Sequence, residues 1–137
     1  MNVKTAFIEE DGVEDRYESH GNITVDEIEL DPPKDHEILV DIKANGVCHS
    51  DWHVAAGDAP MAHYPAALGH EGAGVVEEVG PGVSAVEEGD HIVTSYVPAC
   101  GRCERCAQGL PNLCLNSEYL QKGPQMDGTY RMHWNGQ

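Results

Sequence analysis

Residues 69–83 read Gly69-His70-Glu71-Gly72-Ala73-Gly74-Val75-Val76-Glu77-Glu78-Val79-Gly80-Pro81-Gly82-Val83. From Gly69 the pattern is that of a strand, with Val75, Val76 and Val79 leading into a Gly80-Pro81-Gly82 turn. Outward in both directions, β-rich runs alternate with turn signals at short intervals, with no internal repeat or low-complexity linker. That organisation predicts a mostly-β domain. Upstream, Val3–Ile8 is a strand candidate, and Glu9–Gly21 a charged hairpin tip or insertion. Ile23, Val25, Ile28 and Leu30 form a second extended stretch stopped by Pro32-Pro33. Ile38, Val40 and Ile42 alternate with Leu39, Asp41 and Lys43, the period of a half-buried strand ending at Asn45-Gly46. His49–Ala56 fits a short helix closed by Gly57. Downstream, His91–Val97 is a strand after the Glu88-Gly89-Asp90 turn, 98–116 has no usable periodicity, and Gly128–Trp134 is a last strand.

Length and charge bound the function. The 137 residues suit one domain able to bury roughly 70% of its unfolded surface. Eight Lys plus Arg stand against 24 Asp plus Glu, a formal charge of -16, which excludes a phosphate-tracking groove and nucleic acid as a partner. No apolar run approaches the ~18 residues of a membrane span, and the N-terminus lacks the basic start and apolar stretch of a signal peptide. These features lead to the expectation of a soluble, cytoplasmic protein. The acidic residues are spread along the chain, and with four lysines and one Phe the composition resembles that of salt-adapted proteins, in which molar salt screens self-repulsion over ~3 Å. An acidic face for a basic partner is the alternative.

Five cysteines, four of them within residues 100–114, fit a metal site better than a disulfide framework. Cys100, Cys103, Cys106 and Cys114 form C-x2-C-x2-C-x7-C, whose x2 spacings turn successive thiolates toward one ion. Four sulfurs on a closed loop indicate a structural zinc site with a net charge of -2, which Arg102 and Arg105, between the ligands, offset. The rival is an iron–sulfur cluster, but that run continues with x3 and Cys-Pro, whereas here the gap is x7 and Leu115 follows.

A second constellation lies in Gly46-Val47-Cys48-His49-Ser50-Asp51-Trp52-His53 together with Gly69-His70-Glu71. Taken alone, Cys48 reads as a buried thiol and His70 as a turn histidine. Eight residues nevertheless hold a soft ligand, an alcohol that can pass a proton, a carboxylate able to orient an imidazole, and two histidines. His20, His36, His63, His91 and His133 match no motif and read as surface or turn residues.

These residues resemble the zinc-dependent medium-chain alcohol dehydrogenases. Gly69-His70-Glu71-x2-Gly74-x5-Gly80-x2-Val83 matches the zinc signature of that family at every fixed position, and Cys-His-Ser-Asp-x-His and the four-cysteine lobe occur in family order and spacing. The resemblance covers most of the chain, with residues 9–21 as an insertion. It implies a GroES-like β-barrel with short helices over residues 1–137, carrying the structural zinc lobe at about 98–116. It implies Cys48 and His70 as catalytic-zinc ligands, Glu71 beside them, and Asp51 bonded to the ligand imidazole. It implies Ser50 as acceptor of the substrate hydroxyl proton, His53 as the outward end of the relay, His49 as a contact to the coenzyme pyrophosphate, and Tyr96 as a pocket-lining side chain.

A complete family member also has a Rossmann domain for NAD(P) and a third zinc-ligating cysteine, both beyond the position of Gln137. Neither occurs in these 137 residues, and the fingerprint GxGxxG is absent because the spacing of Gly69, Gly72 and Gly74 is wrong for it. The expectation is the catalytic-domain portion of an oxidoreductase acting on a small alcohol or aldehyde, inactive alone. Alternatives are a non-catalytic zinc-binding structural or interaction module, or half of a split enzyme completed by a partner Rossmann chain. Family resemblance also implies homo-oligomers.

Overall fold

A computed structural model describes residues 1–9, 23–58, 63–120 and 122–136. Most of the expected 9–21 insertion, and His20 with it, therefore lies outside the described residues. Among these the chain is mostly β, as expected, arranged as two antiparallel sheets. The first has the order β4-β1-β2-β7, from β1 (Asn2–Ile8), β2 (Ile23–Leu30), β4 (Ala66–Ala67) and β7 (Met132–His133). The second has the order β3-β5-β6, from β3 (Ile38–Gly46), β5 (Glu71–Val79) and β6 (His91–Val93). A helix α1 (His49–Ala55) links β3 to the segment before β4, and two short helices, α2 (Glu104–Ala107) and α3 (Ser117–Leu120), flank a 3-10 turn at Pro111–Leu113.

β1 and β2 pair in register from Asn2 opposite Glu29 to Ile8 opposite Ile23. Ile8, 1% exposed, meets Ala55 of α1 and Ala66 of β4, with Val54, Tyr64 and Leu68 packed around them. Fully burying an Ile side chain contributes roughly 1.5–3 kcal/mol, and here that contact fixes α1 against the first sheet. Seven residues are too few for a helix to persist alone. Packing and caps therefore decide where its side chains stand.

Several expected boundaries move. The alternation over Ile38–Ile42 does not persist, because the β3–β5 ladder shifts register between Leu39 and Val40 and again between Ile42 and Ala44. Such bulges rotate side chains between faces, and Ile42 ends up exposed. The expected His91–Val97 strand stops at Val93, and Gly128–Trp134 contributes only Met132–His133 to a sheet. The rest of that tail is held by side chains. Buried Arg131 grips Glu37 through Nη2–Oε1 at 2.6 Å and Nε–Oε2 at 2.9 Å and reaches Asp127 at 2.8 Å. The Trp134 indole donates to Asp26 at 3.1 Å and tilts against Phe7.

Candidate metal centres

The helix α1 is set at both ends by its own sequence. Cys48 is the N-cap, its Sγ accepting the Ser50 N–H at 3.3 Å while Asp51 Oδ2 accepts the Cys48 N–H at 2.8 Å. This is a capping box with a thiol in the hydroxyl's place, and it locks Cys48 and Asp51 side by side. At the other end Gly57, with φ of 75°, donates to the Val54 carbonyl at 3.1 Å, and the Asp58 N–H donates to the His53 carbonyl at 2.8 Å. That pair of bonds is a Schellman stop, which favours glycine at the left-handed position.

His70 arrives from the start of β5. Gly69 before it has φ of 105°, and a Cβ there would lie 1.8 Å from the Asn45 amide nitrogen, so a side chain is excluded twice over. The Gly69 N–H donates to Asp51 Oδ1 at 3.0 Å, and the same oxygen lies 3.4 Å from His70 Nδ1. His70 Nε2, on the far side of the ring, faces Cys48 Sγ at 3.2 Å. Thr94 Oγ1 donates to the His70 carbonyl at 3.0 Å and accepts the Gly72 N–H at 2.8 Å, anchoring the backbone on either side of Glu71.

The ligand atoms of Cys48, Asp51 and His70 all lie within 4.8 Å of one another. Asp51 is only 6% exposed, and both of its oxygens take backbone N–H groups. That leaves the thiol and Nε2 as the donors facing one point, with the carboxylate holding the ring from behind. A cleft of about 570 Å³ opens beside them, lined by Ser50, His70, Glu71, Thr94 and Tyr96. The Tyr96 ring meets His70 edge-on at 4.7 Å. Glu71 is exposed and stands outside the three-residue cluster, its carboxylate over Gly46.

His49 and His53 lie on the solvent side of α1. His49 Nδ1 is 3.1 Å from His53 Nε2, and His53 Nδ1 is 3.3 Å from Asp58 Oδ2. Sequence reading passed over Asp58 and Thr94. The glycine stop at Gly57 is the local signal that places Asp58 beneath His53, while Thr94 sits in a β-rich run with nothing to single it out.

The four sulfurs of Cys100, Cys103, Cys106 and Cys114 converge within 4.8 Å. Cys114 is buried, and its Sγ accepts the N–H groups of Cys100 at 3.3 Å and Asn116 at 3.4 Å, while Cys100 Sγ accepts the Cys103 N–H at 3.3 Å. The Arg102 backbone N–H leads in drawing the Cys100 thiol down to about 6. Burial, with the Cys103 thiol beside it, pushes Cys106 up to about 11. Crowding thus works against charge on the Cys106 sulfur. A thiophilic cation at their centre suits the donor set, and Arg102 and Arg105 both lie on the exposed side of the loop.

The alcohol dehydrogenase GroES-like domain profile matches residues 34–135. Among curated relatives, the chain is 46% identical over 112 residues to an NDMA-dependent alcohol dehydrogenase of Amycolatopsis methanolica, covering 82% of this chain and 30% of that protein. It is 48% identical over 112 residues to an S-(hydroxymethyl)glutathione dehydrogenase of Escherichia coli O1:K1, covering 81% and 30%. Among solved structures, an alcohol dehydrogenase zinc-binding domain protein from Burkholderia ambifaria superposes with a TM-score of 0.86 at 34% identity, covering all of this chain and 35% of that one. The chain therefore spans about a third of the length of the relatives it matches, and the mostly-β, GroES-like fold expected from sequence is the observed one.

Proposed function

The chain belongs to the alcohol dehydrogenase family through its GroES-like domain, and on that premise we propose that it is the catalytic-domain portion of a zinc-dependent, NAD(P)-linked oxidoreductase converting a small alcohol to an aldehyde or ketone. The carrying observation is the convergence of Cys48 Sγ and His70 Nε2 beside a cleft, with Asp51 on the opposite ring nitrogen. Cys48 and His70 would hold one zinc, and Cys100, Cys103, Cys106 and Cys114 a second, structural one. When bound in the cleft, zinc supplies Lewis-acid polarisation of a substrate oxygen.

The chain's own residues supply the rest. Asp51 keeps the proton of His70 on Nδ1, leaving Nε2 as a donor atom. Ser50, in the cleft wall, takes the substrate hydroxyl proton and passes on its own, since a hydroxyl both donates and accepts. His53, one turn further along α1 and exposed, releases that proton to solvent, and its neighbour His49 meets the coenzyme pyrophosphate. Glu71 and Tyr96 border the substrate.

Ser50→Ala in the intact enzyme tests this reading. Turnover of alcohol with NAD(P) should fall by about 10²–10⁴-fold, the usual worth of positioned proton transfer, with zinc content unchanged. Unaltered turnover would remove Ser50 from the reaction.

A further inference from the structure

Apart from the Cys48–His70 cluster, α1 carries a second pair of imidazoles whose geometry is that of a chelate. His49 and His53 are four residues apart and so share one helix face. Their rings sit 4.6 Å apart at 86°, with His49 Nδ1 and His53 Nε2 separated by 3.1 Å. Two nitrogens at that separation, each about 2.0–2.1 Å from a common ion, subtend about 95–100° at it. This angle suits square-planar or octahedral coordination and is near tetrahedral.

The remaining ring nitrogen of His53 is also provided for. Its Nδ1 lies 3.3 Å from Asp58 Oδ2, and the Schellman stop at Gly57, through the Asp58 N–H to His53 carbonyl bond, sets that carboxylate under the ring. Metal-binding imidazoles characteristically present one nitrogen to the ion and give the other N–H to a carboxylate. His53 is 47% exposed at its side chain, so an ion reaches it from solvent, and the formal charge of -16 raises the local cation concentration.

We propose that His49 and His53, with Asp58 as the carboxylate behind His53, form a surface site for one divalent transition-metal ion of the imidazole-preferring class, such as nickel or zinc. Water fills the remaining positions. If the preceding reading of the active site holds, this ion occupies the imidazoles assigned to coenzyme contact and proton release, so ion and coenzyme exclude each other. The binding itself does not depend on that reading.

The test uses the full chain with its four-cysteine site loaded with zinc, all excess zinc removed and the zinc content measured first, and nickel(II) as the probe. A failure of the four-cysteine site to load zinc counts against the proposed function and is seen before nickel is added. In ¹H–¹⁵N spectra, one equivalent of nickel is expected to broaden resonances around α1. His49→Ala or His53→Ala should weaken that binding at least tenfold, and Asp58→Asn by about 10–100-fold, while His91→Ala, an exposed histidine on β6, changes nothing. Far-UV circular dichroism of each variant checks that the fold persists. Broadening centred elsewhere, or parental affinity in His49→Ala, would overturn the proposal and leave a hydrogen-bonded pair only. Parental affinity in Asp58→Asn would overturn the role given to that carboxylate.

Discussion

Replacing Asp51 by alanine removes a side chain that ties the helix cap to the β5 entry through two backbone N–H groups. Its carboxylate accepts the Cys48 N–H at 2.8 Å and the Gly69 N–H at 3.0 Å and backs the His70 ring at 3.4 Å. Hydrogen bonds to a charged acceptor are worth about 1.5–3 kcal/mol each. Water can reach both donors once the side chain is gone, so the lower end applies and the pair sums to about 3 kcal/mol. For a domain of this size that corresponds to a melting temperature lower by about 10 °C. Asp51→Asn retains one oxygen but must oppose its NH₂ to a backbone N–H, so about half the loss or more is expected. In both variants the His70 proton should redistribute from Nδ1 toward Nε2, visible in long-range ¹H–¹⁵N spectra of the ring. Circular dichroism melts at fixed salt give the stability change. A melting point within about 2 °C of the parent, with the His70 tautomer unmoved, would refute the reasoning.

Further expectations follow from the tail clamp and the surface charge. Glu37→Gln leaves buried Arg131 with Asp127 as its remaining carboxylate and should cost about 2 kcal/mol, below the ~3–5 of a fully broken buried pair, in a denaturant melt. Hydrogen bonding from Arg131 holds the Glu37 carboxyl below its ordinary value of 4.5. Its stabilisation is therefore complete above that pH and lost as pH falls through the lower folded value, so Glu37→Gln should show a shallower acid loss below pH 4.5 than the parent. With a charge of -16, the melting temperature should rise with salt and the fold should be lost on dialysis to low salt. A salt-independent melting point would contradict salt adaptation.

What could be read from the sequence was local. The helix expected over His49–Ala56 and its stop at Gly57 rest on signals within a few residues; the helix runs from His49 to Ala55 with Ala56 as its C-cap, and the stop falls at Gly57. The four-cysteine lobe was legible because its spacing closes one loop, and its sulfurs do converge. The contacts that escaped reading join distant residues. Thr94 anchors His70 from 24 positions away, and Arg131 meets Glu37 across 94. No periodicity encodes such pairs. The β3 alternation failed because bulges, set by pairing with β5, reset the faces along the strand. Asp58 lay between these cases, since the glycine stop before it was legible but the imidazole it faces was not.

The metal content of the purified full chain tests the central claim most directly. X-ray absorption at the zinc edge should report a tightly held zinc surrounded by four sulfurs at about 2.3 Å, and Cys103→Ser should remove it and lower the melting temperature, because ion binding and folding of such a lobe are one equilibrium. A brown protein absorbing near about 400 nm, containing iron and sulfide rather than zinc, would contradict the account.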